Sequence, residues 1–590
     1  MSNELNRTFR WERLSPLLPE LLFFGVYWPA LGAWFQRDDF AWLSLSQRIG
    51  AGMSLTDALF APMAQGTVRT ISERLFFLVG RRLFDLNAVP FHAVVMATHA
   101  VSLWLAVWLF TRLTGSRWVA VAAACVWTVH VCLYWPLTWV SAYNQVLCAA
   151  VLLGSTALYL RYTETGGRGL LGAVWTLFLL GFGVHELNVV FPVLALLVAP
   201  RAWRRALWFL APSVGFYLLH NRLAPKSGAG IYAVALDHRL PGTFIEYWSL
   251  SLGLSGALLG LVSAVLIAGF WWRRDRAVGF GLGWFFVTLG PFLLVPNHVS
   301  DYYLFVPLLG LSLAVTALVC GVRFGWVLLV PLVAFQGLQS HRLAMQVAAD
   351  SDQAWTFLRG LAEAGRRYPG KSLYVAGVSD ALFWNSFYDR PFHLIGLSRI
   401  FLTPDNAAAL APVVGRAAYA DYSQPAAVVV READNHRAAI FEIRGEQMVN
   451  VTAAKAEQLR RADPVLDSID VASPGNAALL SGQWHEAENS YRWTGQRAAI
   501  QIAAPGQVLT IQGFCVAEQV KGRPFGLTLT MDGAALSRQT VNDCSKPLRI
   551  TAALPPNHGP FSLGIDLDHT VRVGSDARDL GIAVESVSVR

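Results

Sequence analysis

Ser15-Pro-Leu-Leu-Pro-Glu-Leu-Leu-Phe-Phe-Gly-Val-Tyr-Trp-Pro-Ala-Leu-Gly-Ala-Trp34, followed within a few residues by Arg37-Asp38-Asp39-Phe40, decides how the rest of the chain is read. The apolar run is roughly 20 residues, enough to cross a hydrocarbon core of about 30 Å as a helix. Before it stand Arg7, Arg10 and Arg13, with Glu12 as the acid beside them. Positive charge marks the cytoplasmic flank, so the segment runs outward and delivers Asp38 and Asp39 to the opposite face. No short apolar core with a small-residue cleavage site precedes it, so the first helix is expected to be retained. The acidic pair has two readings. Asp39 caps an interfacial helix that begins Phe40-Ala41-Trp42-Leu43, or a carboxylate serves as a general base at the membrane surface. The pair alone does not choose between them.

The whole chain supports the membrane reading. Of 590 residues, 54% are hydrophobic and only 15% charged, against about 25% charged in soluble domains. The apolar excess ends near residue 340, which predicts a membrane domain over 1–340 and appended soluble regions beyond it. The net charge of +8 sits mainly in short loops. It is topological information, since no basic run with interleaved aromatics calls for nucleic acid. There is no Gly-x4-Gly-Lys-Ser/Thr loop for ATP-driven transport. Neither repeated halves nor matched Gly/Pro-broken helix pairs suggest a transporter. Cys125, Cys132, Cys148 and Cys320 lie in apolar segments as small core residues. Cys515 and Cys544, the two in the soluble region, suit a disulfide if that region is extracytoplasmic. No cysteine has metal-ligand spacing.

After the acidic pair, Ala41 to Asn87 is too charged to span but amphipathic, which predicts helices in the outer interface. Further spans are expected over 89–112, 118–134, 143–162, 170–185, 187–200, 206–220, 247–272, 278–295, 302–322 and 324–338. With the first helix this makes about eleven. Each inner turn then holds arginine: Arg112/Arg117, Arg161/Arg168, Arg201/Arg204/Arg205, Arg273/Arg274/Arg276 and Arg323. The interfacial stretch and the 222–239 loop are basic on the outer side, against that bias, and are candidates for binding an anion. An odd span count places everything after about residue 340 outside the cytoplasm. There, 352–367 reads as a helix, and Ser372–Val378, Ala426–Val430 and Ala438–Ile443 as strands of a small α/β module covering 341–480. Evenly spaced short runs at 498–502, 508–511, 526–531, 548–552, 561–565 and 582–589 read as a β-sandwich over 481–590.

In this order the pieces resemble the C-type integral-membrane glycosyltransferases, and among them the relatives of dolichyl-phosphate-mannose–protein mannosyltransferases. The matching pieces are Arg37-Asp38-Asp39-Phe40; Phe91-His92 to His99, running into Leu113-Thr-Gly-Ser-Arg117; and Val126-Trp-Thr-Val-His130 with Trp135-Pro136 and Trp139-Val-Ser141. His185-Glu186 stands where many relatives carry Lys-Glu, and Asp301-Tyr-Tyr-Leu-Phe-Val-Pro307 is similar to the opening of a late family helix. The chain departs from the family at Val68-Arg69-Thr70-Ile71, where many relatives have Tyr-Arg-Pro-Leu. Its tail is not a tetratricopeptide array. Gly482-Gln-Trp484, Tyr491-Arg-Trp493-Thr494 and Asp576-Ala-Arg578-Asp-Leu-Gly-Ile582 resemble a β-sandwich attached to bacterial envelope-glycan proteins.

The resemblance implies transfer of a sugar from a polyprenyl-phosphate donor to a glycan, lipid or protein acceptor on the outer face of a bacterial inner membrane. Asp38 is the first choice for the base and Asp39 the second, with Glu186 a further acidic candidate. Arg69, Arg74 and Arg222, with Lys226 behind them, are candidates for the donor phosphate. His185, His298, Asp301 and Tyr302 are candidate substrate contacts. For each there is a plainer reading: Glu186 as a turn residue, His185 as a helix-end residue, the arginines as snorkelling side chains, Asp301 and Tyr302 as cap and belt. A divalent cation, Mg or Mn, is compatible but not required by any spacing. Trp484 and Trp493 are expected in the sandwich core, and Asp576 with Arg578 as a structural ion pair. The competing reading is a non-catalytic, glycosyltransferase-like envelope scaffold or assembly subunit.

Overall fold

The computed structural model describes residues 15–63, 66–223, 232–273, 275–414, 422–424, 426–462, 468–503, 506–556, 558–573 and 578–590. They fall into two units, Met1–Trp355 and Thr356–Arg590. The first is built from helices: α1 (Leu17–Tyr27), α2 (Val89–Thr114), α3 (Arg117–Val129), α4 (Tyr143–Thr165), α5 (Arg168–Gly181), α6 (Phe191–Val198) and α7 (Leu210–Leu223). After these come α8 (Leu240–Leu252), α9 (Gly256–Arg273), α10 (Arg276–Leu293), α11 (Phe305–Cys320) and α12 (Trp326–Arg367). All of the expected spans contain helix, but the count of about eleven is not reached. Among the described residues, five helices are long and apolar enough to cross a membrane, and two bent pairs raise that to seven.

The shortfall has local causes. The expected span 118–134 breaks at His130, whose extended backbone ends α3 and whose Nδ1 accepts from Cys132 N–H at 3.3 Å to start the next turn. The two halves meet at 64°. The bend of 113° between Glu186–Val198 and Pro200–Leu223 falls at Pro200, which has no N–H to continue the ladder. The expected span 247–272 is two helices, because Gly253 at φ +64° closes α8. The boundary expected at 340 lies inside α12, which runs unbroken through 326–367.

The surfaces of these helices identify their solvent. On α9, Leu258, Leu261, Val265, Ile267 and Trp271 are each more than half exposed. An exposed face so uniformly apolar is stable against lipid, not water. The chain is a multi-pass membrane protein. Inside the unit, α10 and α11 cross at van der Waals distance: a Cβ on Gly281 would lie 2.5 Å from the Gly310 carbonyl, and one on Gly310 2.4 Å from that of Gly281. Two buried indoles lock the start of α11, Trp127 donating to Phe305 O at 3.0 Å and Trp284 to Val306 O at 2.9 Å.

The helix ends sort by charge. At one end Arg112 pairs with Glu164, Arg205 stacks on Tyr162 at 5.3 Å, Arg276 donates to Val198 O at 2.8 Å and Arg273 to Gly321 O. These are the turns read from sequence as cytoplasmic. The opposite ends carry the acidic groups described below.

The second unit holds two sheets. In the first, β1 (Ser372–Ala376) lies between β2 (Ile400–Leu402) and β3 (Ala438–Arg444), all parallel, with β4 (Gln447–Asn450) antiparallel on β3. The strand expected at 426–430 is instead part of α13 (Ala426–Asp434). Its β-branched run misleads, because Val429 and Ala433 are buried four residues apart, a helical period, against Ile440 and Leu459. The second sheet comprises β5 (Ser468–Asp470), β6 (Leu480–Glu488), β7 (Tyr491–Ile502), β8 (Val508–Phe514), β9 (Phe525–Met531), β10 (Ala534–Val541), β11 (Leu548–Ala553), β12 (Phe561–Leu567) and β13 (Ala583–Val589). In place of two separate sheets there is one antiparallel path, β10-β9-β12-β7-β13-β8-β11. It curls so that Gln539 of β10 donates to Thr551 O of β11 at 2.7 Å. All six expected runs are strands within it. Trp493 is buried, Trp484 donates from Nε1 to Ala499 O at 3.0 Å, and Cys515 is bonded to Cys544. Arg578 pairs with Glu488 at 2.6 Å; Asp576, its expected partner, lies outside the described residues.

Candidate functional site

Asp38 and Asp39 are adjacent in sequence and opposite in circumstance. Asp39 opens a short helix, Asp39–Leu43, and is fully buried. Its Oδ1 accepts from Ser141 N–H at 2.7 Å and Ser141 Oγ–H at 2.5 Å, and its Oδ2 from Gln36 N–H at 3.0 Å. It therefore ties the exit of α1 to the turn before α4. Burial pushes its pKa up to about 7, although Ser141 and Gln36 pull the other way. Asp39, the second choice for the base, clamps the turn with three accepted hydrogen bonds, two at Oδ1 and one at Oδ2. Asp38 is exposed; its main-chain oxygen accepts from Trp42 N–H at 3.2 Å, while its carboxylate accepts no hydrogen bond from the described residues. Its charge acts on the Tyr232 hydroxyl, and Arg37 beside it stacks on Trp135 at 4.7 Å.

A second group gathers around Arg69. Its Nε donates to Glu186 Oε2 and its Nη1 to Glu73 Oε1, each at 2.8 Å. Asn144 Nδ2 also donates to Glu73 Oε1, at 2.9 Å. Main-chain bonds hold the two loops together, Ile71 N–H to Gly183 O at 2.7 Å and Ser72 Oγ–H to Val184 O at 2.6 Å. His220 Nε2 approaches Glu186 Oε1 at 3.7 Å from α7. His185 is buried; its Nδ1 accepts from Leu187 N–H at 3.0 Å, so the neutral ring carries its proton on Nε2. The Gln145 amide lies 3.0 Å from that nitrogen. The amide atom that faces the ring is Nε2, while Gln145 Oε1 is buried and accepts no hydrogen bond from the described residues. Burial raises the Glu73 pKa, while Arg69 opposes the shift. One guanidinium between two carboxylates leaves a net negative charge, yet Nη2 of Arg69 remains without a partner among the described residues.

The third group is aromatic. His298 Nε2 lies 3.0 Å from Tyr302 Oη, Tyr232 packs on His298 at 4.6 Å, and Tyr302 on Tyr303 at 4.4 Å. The charge of Arg69 acts on Tyr232 and Tyr302, and that of Glu186 on Tyr303. Tyr232 is thus within electrostatic reach of both Asp38 and Arg69. Asp301 sits at the edge, 3.5 Å from Ser300 Oγ.

Not every expected residue belongs here. Arg74 is wholly buried, and its guanidinium donates to Ala61 O at 2.6 Å and Thr67 O at 2.8 Å. It holds main-chain carbonyls of its own loop through Nη1 and Nη2, and Nε has no partner among the described residues. Arg222 is exposed on the last turn of α7 and makes no ion pair with the described residues. Lys226 lies outside the described residues. No three His, Cys, Asp or Glu side chains converge to hold a metal ion among the described residues. Sequence reading missed Glu73, Asn144, His220 and Tyr232. Glu73, four residues after Arg69, was open to discovery by helical spacing; the other three carry no local signal.

Fold and site define a multi-pass membrane protein with an acidic, tyrosine-lined mouth. No protein-family model matches the chain, and no curated protein matches it. Among solved structures it is similar to ArnT from Cupriavidus metallidurans. With the form bound to undecaprenyl phosphate it shares 12% identity over 78% of this chain and 96% of that one, at a TM-score of 0.38. With the apo form it shares 14% identity over 79% of this chain and 97% of that one, at 0.39.

Proposed function

We propose that the chain is a membrane glycosyltransferase of the C-type superfamily. It moves a sugar from a polyprenyl-phosphate donor to an acceptor on the periplasmic face of a bacterial inner membrane, with the second unit periplasmic. The observation that carries this reading is the division of labour in the acidic pair. Asp39 is consumed by structure, while Asp38 stands free at the mouth, facing tyrosines and a half-committed arginine.

In this reading the acceptor hydroxyl attacks the anomeric carbon as Asp38 takes its proton. The bond from that carbon to the phosphate oxygen breaks, and the electron pair leaves with the polyprenyl phosphate. Arg69 meets the departing charge through Nη2, its other nitrogens fixed by Glu73 and Glu186, so that the fork is oriented in advance. Tyr302, His298 and Tyr232 flank the sugar. A divalent cation is not needed by these steps.

The test is transfer of labelled sugar from polyprenyl-linked donors in membranes, comparing the parent with Asp38→Asn. Loss of transfer in a variant that retains its thermal stability supports the reading. A parent inactive with every donor, yet recovered in a stable complex, supports the scaffold alternative instead.

A further inference from the structure

Beside the exit of α1, and outside the mouth just described, the first unit has a cleft of about 470 Å³ that no step of the proposed reaction uses. That is within the size range of small-molecule sites. Trp34, Phe84, Asp85, Asn87 and Trp355 line it. Trp34 is fixed from two sides, its main-chain N–H donating to Ser351 Oγ at 2.9 Å and its indole N–H to Leu86 O at 3.1 Å. Its ring stands 4.8 Å from that of Trp355, which is 41% exposed, and 5.6 Å from Phe40, the residue after the acidic pair. The two indoles pack on each other at 56°, and the partly exposed face of Trp355 borders the cleft.

The polar rim is equally specific. Asp85 holds φ +55° and ψ −128°, a strained backbone for any residue but glycine. Glycine would relieve the strain, so the presence of a carboxylate calls for a reason in the side chain. Arg81 engages Oδ1; Oδ2 has no partner among the described residues, and the side chain is 81% exposed. Asn87 uses Oδ1 to cap α2 through Val89 N–H at 3.2 Å, which leaves the Nδ2 donor free. An exposed indole face with one acceptor and one donor at its rim that have no partner among the described residues matches a sugar ring, whose C–H face is apolar and whose edge carries hydroxyls that both donate and accept.

We propose that this cleft is a saccharide subsite that seats one ring of a glycan-bearing acceptor against Trp34 and Trp355, with its hydroxyls shared between Asp85 Oδ2 and Asn87 Nδ2. Its role as an acceptor site rests on the transferase reading above; the binding does not.

The experiment is tryptophan-fluorescence titration of the full chain in nanodiscs, free of glycoside detergents, with methyl glucoside, methyl mannoside, methyl galactoside and N-acetylglucosamine. At least one is expected to bind with Kd on the order of 1 mM. Trp355→Ala weakens it about tenfold. Asp85→Gly weakens it as well while raising thermal stability, which separates loss of binding from loss of fold. Asp38→Asn binds as the parent does, so an inactive transferase and an empty subsite give different results. No binding by any of the four sugars up to about 100 mM, or equal binding by parent and both cleft variants, overturns the assignment.

Discussion

The two ends of the helical unit handle charge in opposite ways. At one end Arg112 meets Glu164 with side chains 50% and 37% exposed, and neighbouring arginines cap carbonyls or lie on aromatic rings. At the other, Arg69 sits between Glu73 and Glu186 with exposures of 17%, 4% and 28%. Water supports the first arrangement at little cost. The second draws three charges largely out of water, with Arg74 and His220 near the carboxylates, a cost that apolar residues of similar volume would avoid. Partly buried charges at such a depth are costly to keep, which is why the proposed reaction is placed at this end and not at the arginine end.

The sharpest way to break this comparison is to neutralise Asp38. Asp38→Asn is expected to lower sugar transfer by about 10²- to 10⁴-fold, the range of a lost general base. Its thermal midpoint should match the parent's, because the Asp38 carboxylate accepts no hydrogen bond from the described residues. Rate and midpoint are measured on the same membranes; unchanged transfer ends the assignment.

Arg69→Met comes next. It strands Glu73 and Glu186 without their cation, and breaking a buried pair in this way costs about 3–5 kcal/mol. Denaturant unfolding in detergent reads the loss. The double variant with Glu186→Gln should regain part of it, since one stranded charge goes with the second change.

Asp39→Asn separates structure from catalysis within two residues. The amide keeps an oxygen for Ser141 but presents N–H to the Gln36 N–H, a loss of about 1–3 kcal/mol. The pH profile also changes. The folded-state pKa, about 7, lies above the ordinary 3.8, so between those values the folded chain holds a proton that the unfolded chain has released. This group's contribution to stability is present below about pH 4, falls as pH rises, and is lost above about pH 7. Melting curves from pH 4 to 8 should show that slope in the parent and a shallower one in the variant.

These residues also mark what sequence can convey. The apolar runs and the inner arginines are local signals, and within the first unit each expected span contains helix and the arginine ends sort as read. They did not convey where a run breaks. His130, Pro200 and Gly253 interrupt helices through one residue's backbone, which a hydropathy window averages away. In the soluble unit, alternating runs gave strands correctly, whereas Ala426–Val430 read as strand because its helical face becomes visible only with Ala433. At the site, Asp38, Arg69 and Glu186 were legible as charges out of place. The roles of Asp39 and Arg74 were not, because their partners, Ser141 for one and main-chain carbonyls for the other, are set by folding alone. Arg74 and Arg69 look equivalent in sequence, and only three-dimensional partners separate them.

The smallest effect is expected where the comparison says charge is cheap. Arg112→Met removes a salt bridge between half-exposed groups, and such pairs contribute about 0–1 kcal/mol. Its aliphatic stem also lies near Trp108, at 5.9 Å from the guanidinium, and methionine retains most of that apolar contact. Unfolding should therefore shift little, and less still at high salt, where the Arg112–Glu164 attraction is screened. The same replacement at Arg69 should respond weakly to salt, since buried charges are screened far less. A loss at Arg112 equal to that at Arg69, under both salt conditions, would mean that the two ends bury charge alike and that the acidic cluster needs no functional explanation.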